Sequence, residues 1–439
     1  MAELLPGLSE LRLPPMHLVR QRFADDAVVD IAAAVRAELR RPEIAARLRP
    51  GLRVAIAVGS RGIANLALIV RTLVTGLRER GAEPFIVAAM GSHGGATADG
   101  QRAVLARCGV DEASVGCPIR SRMDAVVVGT VVRQGESYRT APVDDPAALS
   151  VYMDRHAWED ADLVIPVARV KPHTGFRGRI ESGIGKMLCI GLGKHVGCTR
   201  LHREGYGGFA ELIPAAAAAV LATGRIACAL AVVENAYERT ALVEMVAPER
   251  ILDREPALLD RARALMPRLL LDAIDVLVVE EIGKDISGTG MDPNITGRGE
   301  LGRPQAFTGP DIGRIVALGL SAATKGNATG VGMADVVTRR LAAQVDAVAT
   351  ATNVLTSGSL AGGKLPIAID GDEAAIMAAA SCVPGVAPRD ARIVRIRSTL
   401  HLSEIAVSQN LLDAARGHPD FSVVGPFKGW LESAARSDG

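Results

Sequence analysis

The run LRVAIAVG at 52–59 is the tightest constraint on what this chain can fold into. It is short, rich in Val, Ile and Ala, and ends in glycine, the pattern of a strand buried on both faces. The turn SRGIAN follows, then LALIVRTLVTGLRERG, apolar at helical spacing and closed by Gly81, a residue suited to a helix C-cap. PFIVAAM (84–90) repeats the strand and GSHGGAT the loop, and a helix is expected near 100–107. Strand, loop and helix repeated in this way predict a parallel α/β sheet. In such sheets ligands lie beyond the carboxyl ends of the strands. GSRG and GSHGG both fall there, so Arg61 and His93 are candidates to face one crevice.

Further along, DAVVVGTVV and YRTAPV are expected to form a hairpin appended to the sheet. DLVIPVARV (162–170) is another buried strand, and it empties into KPHTGFRGRIESGIGKMLCIGLGKH, so a third strand end delivers His173. A helix over 209–223 and a strand pair over about 226–245 follow. The pattern then restarts. DVLVVEEIG is a strand, KDISGTGMDPNITGRGELG a Gly-rich loop, RIVALGLS a strand, ADVVTRRLAAQV and DEAAIMAAASCV helices, and ARIVRIRST a strand. The fold class predicted is two α/β domains with mainly parallel sheets, 1–268 and 269–439, with the active site expected in the interdomain cleft. A helix near 255–270 and the terminal FKGWLESAARS are expected to bridge the two.

Composition narrows the partners. A net charge of +1 with interspersed signs, and 3% aromatic residues, argue against nucleic acid, which needs basic patches or stacking platforms. Six cysteines without a C-x-x-C pair read as reduced thiols. The most apolar window, 212–233, contains Pro214, Gly224 and Arg225 and reads as a core helix, a turn and a strand instead of a membrane span. With no basic, apolar leader at the N-terminus, a cytoplasmic protein without a membrane partner is expected. Association into a homo-oligomer is left open.

The chemistry concentrates in SGIGKMLCIGLGKHVGCTRLH (182–202), where Gly183 and Gly185 flank Lys186, and His195 and His202 lie downstream. This is not a phosphate loop: G-x-x-x-x-G-K-[ST] is missing and Met187 replaces the hydroxyl. A dinucleotide fingerprint is incomplete as well. His93 and His173, delivered from separate strand ends, form a natural pair of general acid and base groups. Such a pair suits a racemase, because each hand of substrate meets a base on its own face. Histidines on separate loops can also ligate zinc, although no H-E-x-x-H supports a hydrolytic centre. Arg61 would serve as a bidentate carboxylate clamp.

GSRG, MGSHGGAT and VKPHTGFRGRIESGIGKMLCIGLG, with His202 beyond them, together resemble the nickel-dependent lactate racemase family. The order agrees, and Lys186 stands 16 positions before His202. The resemblance is good from about 50 to 205 and weaker through the second domain. It implies a nickel-pincer nucleotide (pyridinium-3,5-bisthiocarboxylic acid mononucleotide nickel) tethered to Lys186 and passing over Gly183 and Gly185. Its Ni would be held by the pincer and by His202, with His195 as the fallback; a planar four-donor set of this kind suits Ni(II). It further implies His93 and His173 as the acid/base pair, Arg61 and Ser60 at the substrate carboxylate, hydride transfer to the cofactor, and cofactor-making enzymes as partners.

Three features depart from the family. Val58 stands where an acidic residue is common, the stretch from His173 to Lys186 is longer, and SGTGMDPNITGRG replaces the substrate loop. Asp292 and Asn294 still align, while Arg298 or Lys284 takes the place of the family's lysine. Two further polar loops offer Asn327, Asn353 and Lys364. A changed loop implies a changed substrate, such as a longer 2-hydroxy acid, a sugar or a sugar acid. Other readings are a nicotinamide-dependent oxidoreductase, a non-catalytic pincer-nucleotide binding protein and a metal-dependent hydrolase.

Overall fold

The computed structural model describes residues 11–60, 62–142, 145–299 and 309–430. The chain divides into two compact units, one of residues 24–266 and one that joins the first 23 residues to those from 267 onward. In chain order the described strands are β1 (Met16–Gln21), β2 (Arg53–Val58), β3 (Glu83–Ala88), β4 (Ile119–Arg120), β5 (Ala125–Gln134), β6 (Ser137–Ala141), β7 (Leu149–Asp154), β8 (Leu163–Arg169) and β9 (Ala229–Glu234). They continue with β10 (Thr240–Val246), β11 (Ala273–Ile282), β12 (Asp311–Leu320), β13 (Val336–Thr338), β14 (Ile367–Ile369), β15 (Ile393–Ile396), β16 (Glu404–Ser408) and β17 (Phe421–Pro426).

In the larger unit a six-stranded sheet runs β10-β9-β8-β2-β3-β4. All neighbours are parallel except the β9–β10 hairpin. The alternation of side chains along β2 explains why the strand is apolar throughout. Val54, Ile56 and Val58 pack with helices Ile31–Arg40 and Leu66–Arg78, while Ala55 and Ala57 face a second cluster built on helices Phe209–Leu221 and Ile251–Leu265. A strand buried on both faces has no polar side to show. The chain proceeds from β2 outward through β3 and β4, then returns to place β8 on the other side of β2. The carboxyl ends of β2 and β8 therefore flank a topological switch point, the place where open α/β sheets bind ligands.

The predicted hairpin is not appended to this sheet. β5 pairs with β6 and with β7 in a separate antiparallel sheet of order β6-β5-β7, since residues 149–154 supply a third strand that the hairpin can use.

The smaller unit holds the sheet β14-β13-β12-β11-β15-β16-β1-β17, parallel from β14 to β15 and antiparallel beyond. Its chain order reverses between β11 and β15, giving a second switch point. The main break between the units falls at 266–267, and the first strand belongs to this unit. β1 hydrogen-bonds to β16 and β17, long-range pairings that no local pattern in MHLVRQ announces. ADVVTRRLAAQV is not one helix: Val336–Thr338 forms β13 and the helix is Arg339–Gln344, capped by the Thr338 hydroxyl accepting the Leu341 N–H. The expected bridging helix at the C-terminus falls largely on 431–439, outside the described residues. No helix among the described residues is long and apolar enough to cross a membrane.

Candidate active site

Three strand ends of the larger unit supply the polar groups. Beyond β2, the Ser60 hydroxyl bonds to Nδ1 of His93, which stands beyond β3. Gly94 in that second loop has a left-handed backbone (φ 68°), and a Cβ there would strike the backbone of Gly100 and Gln101. Glycine thus lets the loop lie flat on the helix Ala98–Arg107 that follows. Arg61, the expected carboxylate clamp, lies outside the described residues. Glu234, at the end of β9, accepts the Ala64 N–H at 2.7 Å and pairs with Arg169 at the end of β8.

Beyond β8 the chain forms a loop closed by paired backbone bonds between Lys171 and Ser182. Buried Glu181 holds it from inside, accepting the His173 N–H at 2.7 Å and meeting Arg263 at 2.6 Å. The His173 ring is buried. Its Nδ1 accepts the Gly175 N–H at 2.8 Å and its Nε2 lies 2.6 Å from Lys186 Nζ. Nε2 is thus the ring nitrogen that faces the lysine.

Lys186 ends a short helical turn, Ile184–Lys186, which continues into a π-helical turn over Met187–Gly191 and then the helix Lys194–His202. Turns of this wider type are frequent at functional sites. His202 ends that helix. Its Nδ1 donates to the Cys198 carbonyl at 2.7 Å, which leaves the lone pair on Nε2. Burial, with Lys186 adding a lesser push, drives its pKa down to about 4. The ring is therefore a neutral imidazole at physiological pH, the form that ligates metals, with the backbone bond fixing its tautomer. Tyr206 stands between the two histidines, 5.7 Å from the His173 ring and 5.8 Å from the His202 ring, and Phe209 closes on His202 at 5.0 Å. His195, in contrast, is exposed on the first turn of the same helix.

Gly183 and Gly185 do not face an open surface on the side where a Cβ would project. A Cβ at Gly183 would fall 2.2 Å from Glu255 Oε1, and one at Gly185 would lie 2.9 Å from Ile180 and 3.4 Å from Glu255 Oε2. Both glycines make room for a buried carboxylate, and Glu255 Oε2 accepts the Gly185 N–H at 2.8 Å. Burial raises Glu255 to about 7 against the lowering effect of the Gly185 and Ile184 amides. Sequence reading missed this residue, though its signal is present: Glu255 occupies the apolar stripe Ile251, Leu258, Leu259, Ala262 of its helix.

The residues expected in the second domain are spread across the smaller unit. Lys284 Nζ donates to the Gly288 carbonyl at 2.6 Å and to Asn353 Oδ1 at 2.9 Å, and Thr329 bonds to both Asn353 and Asn327. These groups cluster beyond the carboxyl ends of β11 and β12. Asp292 caps the short helix Pro293–Thr296, accepting from Asn294 at backbone and side chain. Arg298 is drawn to the opposite edge of the sheet. There it pairs with Asp335 at 2.5 Å and donates to the carbonyls of Ile312 and Gly313 at the start of β12. Lys364 is exposed.

The chain matches no protein-family model and no curated protein sequence. Among solved structures it is similar to the lactate racemase apoprotein from Thermoanaerobacterium thermosaccharolyticum, at 12% identity and a TM-score of 0.51, over 91% of this chain and 95% of that one. It also matches a Thermotoga maritima protein at 13% identity and a TM-score of 0.46, over 68% and 72% of the two chains. The fold of this chain is thus lactate racemase-like: two α/β units with large, mainly parallel sheets.

Proposed function

We propose that the protein is a racemase or epimerase that inverts a hydroxyl-bearing carbon of a 2-hydroxy acid, a sugar or a sugar acid. The observation that carries this reading is the meeting of His173 with Lys186 at 2.6 Å beside His202, a neutral imidazole that keeps a lone pair on Nε2. The likeness to the racemase apoprotein supports it at the level of the fold. Six free thiols suit a reducing, cytoplasmic setting.

The donor set fits a nickel-pincer nucleotide. Among the described residues no three His, Cys, Asp or Glu side chains gather as a metal site. A single oriented imidazole suffices when a metal's remaining donors come with an organic ligand, and an amine can anchor that ligand. Lys186 would tether the group and His202 would complete the metal's coordination. When bound, the group supplies a site that accepts the substrate hydride and returns it. The protein's part is proton transfer and orientation. His173, buried and fixed through Nδ1, presents Nε2 to the reacting hydroxyl. His93, exposed and steadied by Ser60, serves the opposite face, so one ring gives a proton while the other takes one. Arg61 would hold the substrate carboxylate.

The test is intact-mass and nickel measurement after co-expression with the cofactor-making enzymes. A covalent adduct and bound nickel are expected, with the adduct absent in Lys186→Ala. No adduct and no nickel in the parent protein would refute the reading. Screening the loaded protein against lactate, malate, aldonates and aldoses then assigns the substrate. Lactate as the sole good substrate would refute the longer hydroxy acid or sugar.

A further inference from the structure

Lys194 follows Gly193 in a Gly-rich run, yet its side chain is wholly buried. Its backbone is left-handed (φ 55°), a conformation glycine adopts more easily. Its ammonium lies 3.2 Å from Asp154, which is also wholly buried at the end of β7. Desolvating two charges is costly, and an apolar pair of the same volume is often at least as stable. A lysine kept here against both costs is explained by what its side chain reaches.

Lys194 Nζ donates to the Ala88 carbonyl at 2.8 Å, the last residue of β3, and to Gln101 Oε1 at 2.6 Å. Gln101, itself fully buried, has its amide turned by that bond so that Nε2 faces the loop. It donates to the Gly91 carbonyl at 2.9 Å and to the His93 carbonyl at 3.3 Å. The same loop is tied to the Lys186 segment by the Gly91 N–H, which donates to the Gly191 carbonyl at 3.2 Å. The chain of contacts runs from Asp154 through Lys194 and Gln101 to the backbone on both sides of His93. Lys194 also opens the helix that ends in His202.

We infer that Lys194 and Gln101 are positioning residues for His93, holding an exposed base in register with the helix that carries His202. This rests on the proposed acid/base role of His93, but the geometric part can be tested without it. Two substitutions separate donor from acceptor. Gln101→Glu keeps an acceptor for Lys194 and loses the N–H donors to Gly91 and His93; Gln101→Met loses both. Hydrogen exchange of residues 91–97, followed by mass spectrometry on the protein without cofactor, should quicken about tenfold or more in each variant. In the loaded enzyme kcat should fall about 100-fold, with KM within about twofold, because a displaced base costs rate more than binding.

Wild-type exchange at Gln101→Glu would overturn the inference, since charge satisfaction of Lys194 would then be the network's whole task. Should neither variant fold, the parent protein decides: amides of 91–97 exchanging at unprotected rates would overturn it, and protection comparable to β3 would uphold it. Loosened exchange with kcat unchanged would overturn the positioning role while leaving the racemase reading intact. A parent enzyme without epimerase activity would remove that reading and leave the exchange result standing.

Discussion

Both units are doubly wound sheets with a switch point, and they furnish it with different chemistry. In the larger unit, ionisable groups from separate loops converge at the carboxyl edge: His93 beyond β3, His173 beyond β8, and Lys186 and His202 on the helical stretch that follows. In the smaller unit the corresponding edge is closed on itself by amides and hydroxyls, with Lys284 spent on Gly288 and Asn353. Imidazoles and an amine gather at one edge; amide and hydroxyl hydrogen bonds line the other. Each sheet thus offers a switch-point crevice, and the side chains set the two apart.

The largest expected effect falls on the reactive edge. His173→Asn keeps an oxygen able to accept the Gly175 N–H but removes the titratable nitrogen that meets Lys186. Epimerisation by the loaded enzyme should drop by roughly 10²- to 10⁴-fold, the usual worth of a general acid or base, with the Lys186 adduct still visible by intact mass. Activity within threefold of the parent would dissolve the contrast between the two edges.

A smaller effect separates the edge from its foundation. Glu255 is favoured in its uncharged form by the fold, so stability declines as pH rises above 4.5, where the unfolded chain ionises, and the decline is complete above about 7. Glu255→Gln removes that penalty. Above pH 7 the variant should be more stable than the parent by up to about 3 kcal/mol, and below pH 4.5 the two should match. Urea unfolding across this range measures it, and a variant less stable at pH 8 would show that the charged carboxylate is what the Gly185 amide requires.

The apolar strands were legible in the sequence because burial on both faces leaves an unbroken hydrophobic run, as in RVAIAV and LVIPVAR. Their carboxyl ends followed, and with them the placement of Ser60, His93 and His173 at loops of one sheet. Sheet order was not legible, since the step from β4 to β8 across β2 is a long-range choice, and neither was the capture of β1 by β16 and β17. The glycines around Lys186 were legible only in part. A small residue signals close approach but not what approaches, and here the neighbour is Glu255. Buried Lys194, Glu181 and Glu255 escaped notice because charged residues are expected in water. Only Glu255 sat in a visible apolar stripe.

The smallest effect belongs to the self-satisfied edge. Asn353 Oδ1 accepts from Lys284 at 2.9 Å and from Thr329 at 2.9 Å, so Asn353→Ala takes one acceptor from each of two donors, while Lys284 keeps the Gly288 carbonyl and Thr329 keeps Asn327. Both sit on half-buried or buried residues, and water can reach the lysine more readily than the hydroxyl. The loss should be about 1–2 kcal/mol in unfolding, with kcat and the Lys186 adduct unchanged. If stability instead holds and KM rises about tenfold, these amides face substrate, and the smaller unit's edge is a recognition surface. Because the two outcomes move different observables, a single variant decides whether hydrogen bonds at that edge serve the fold or the ligand.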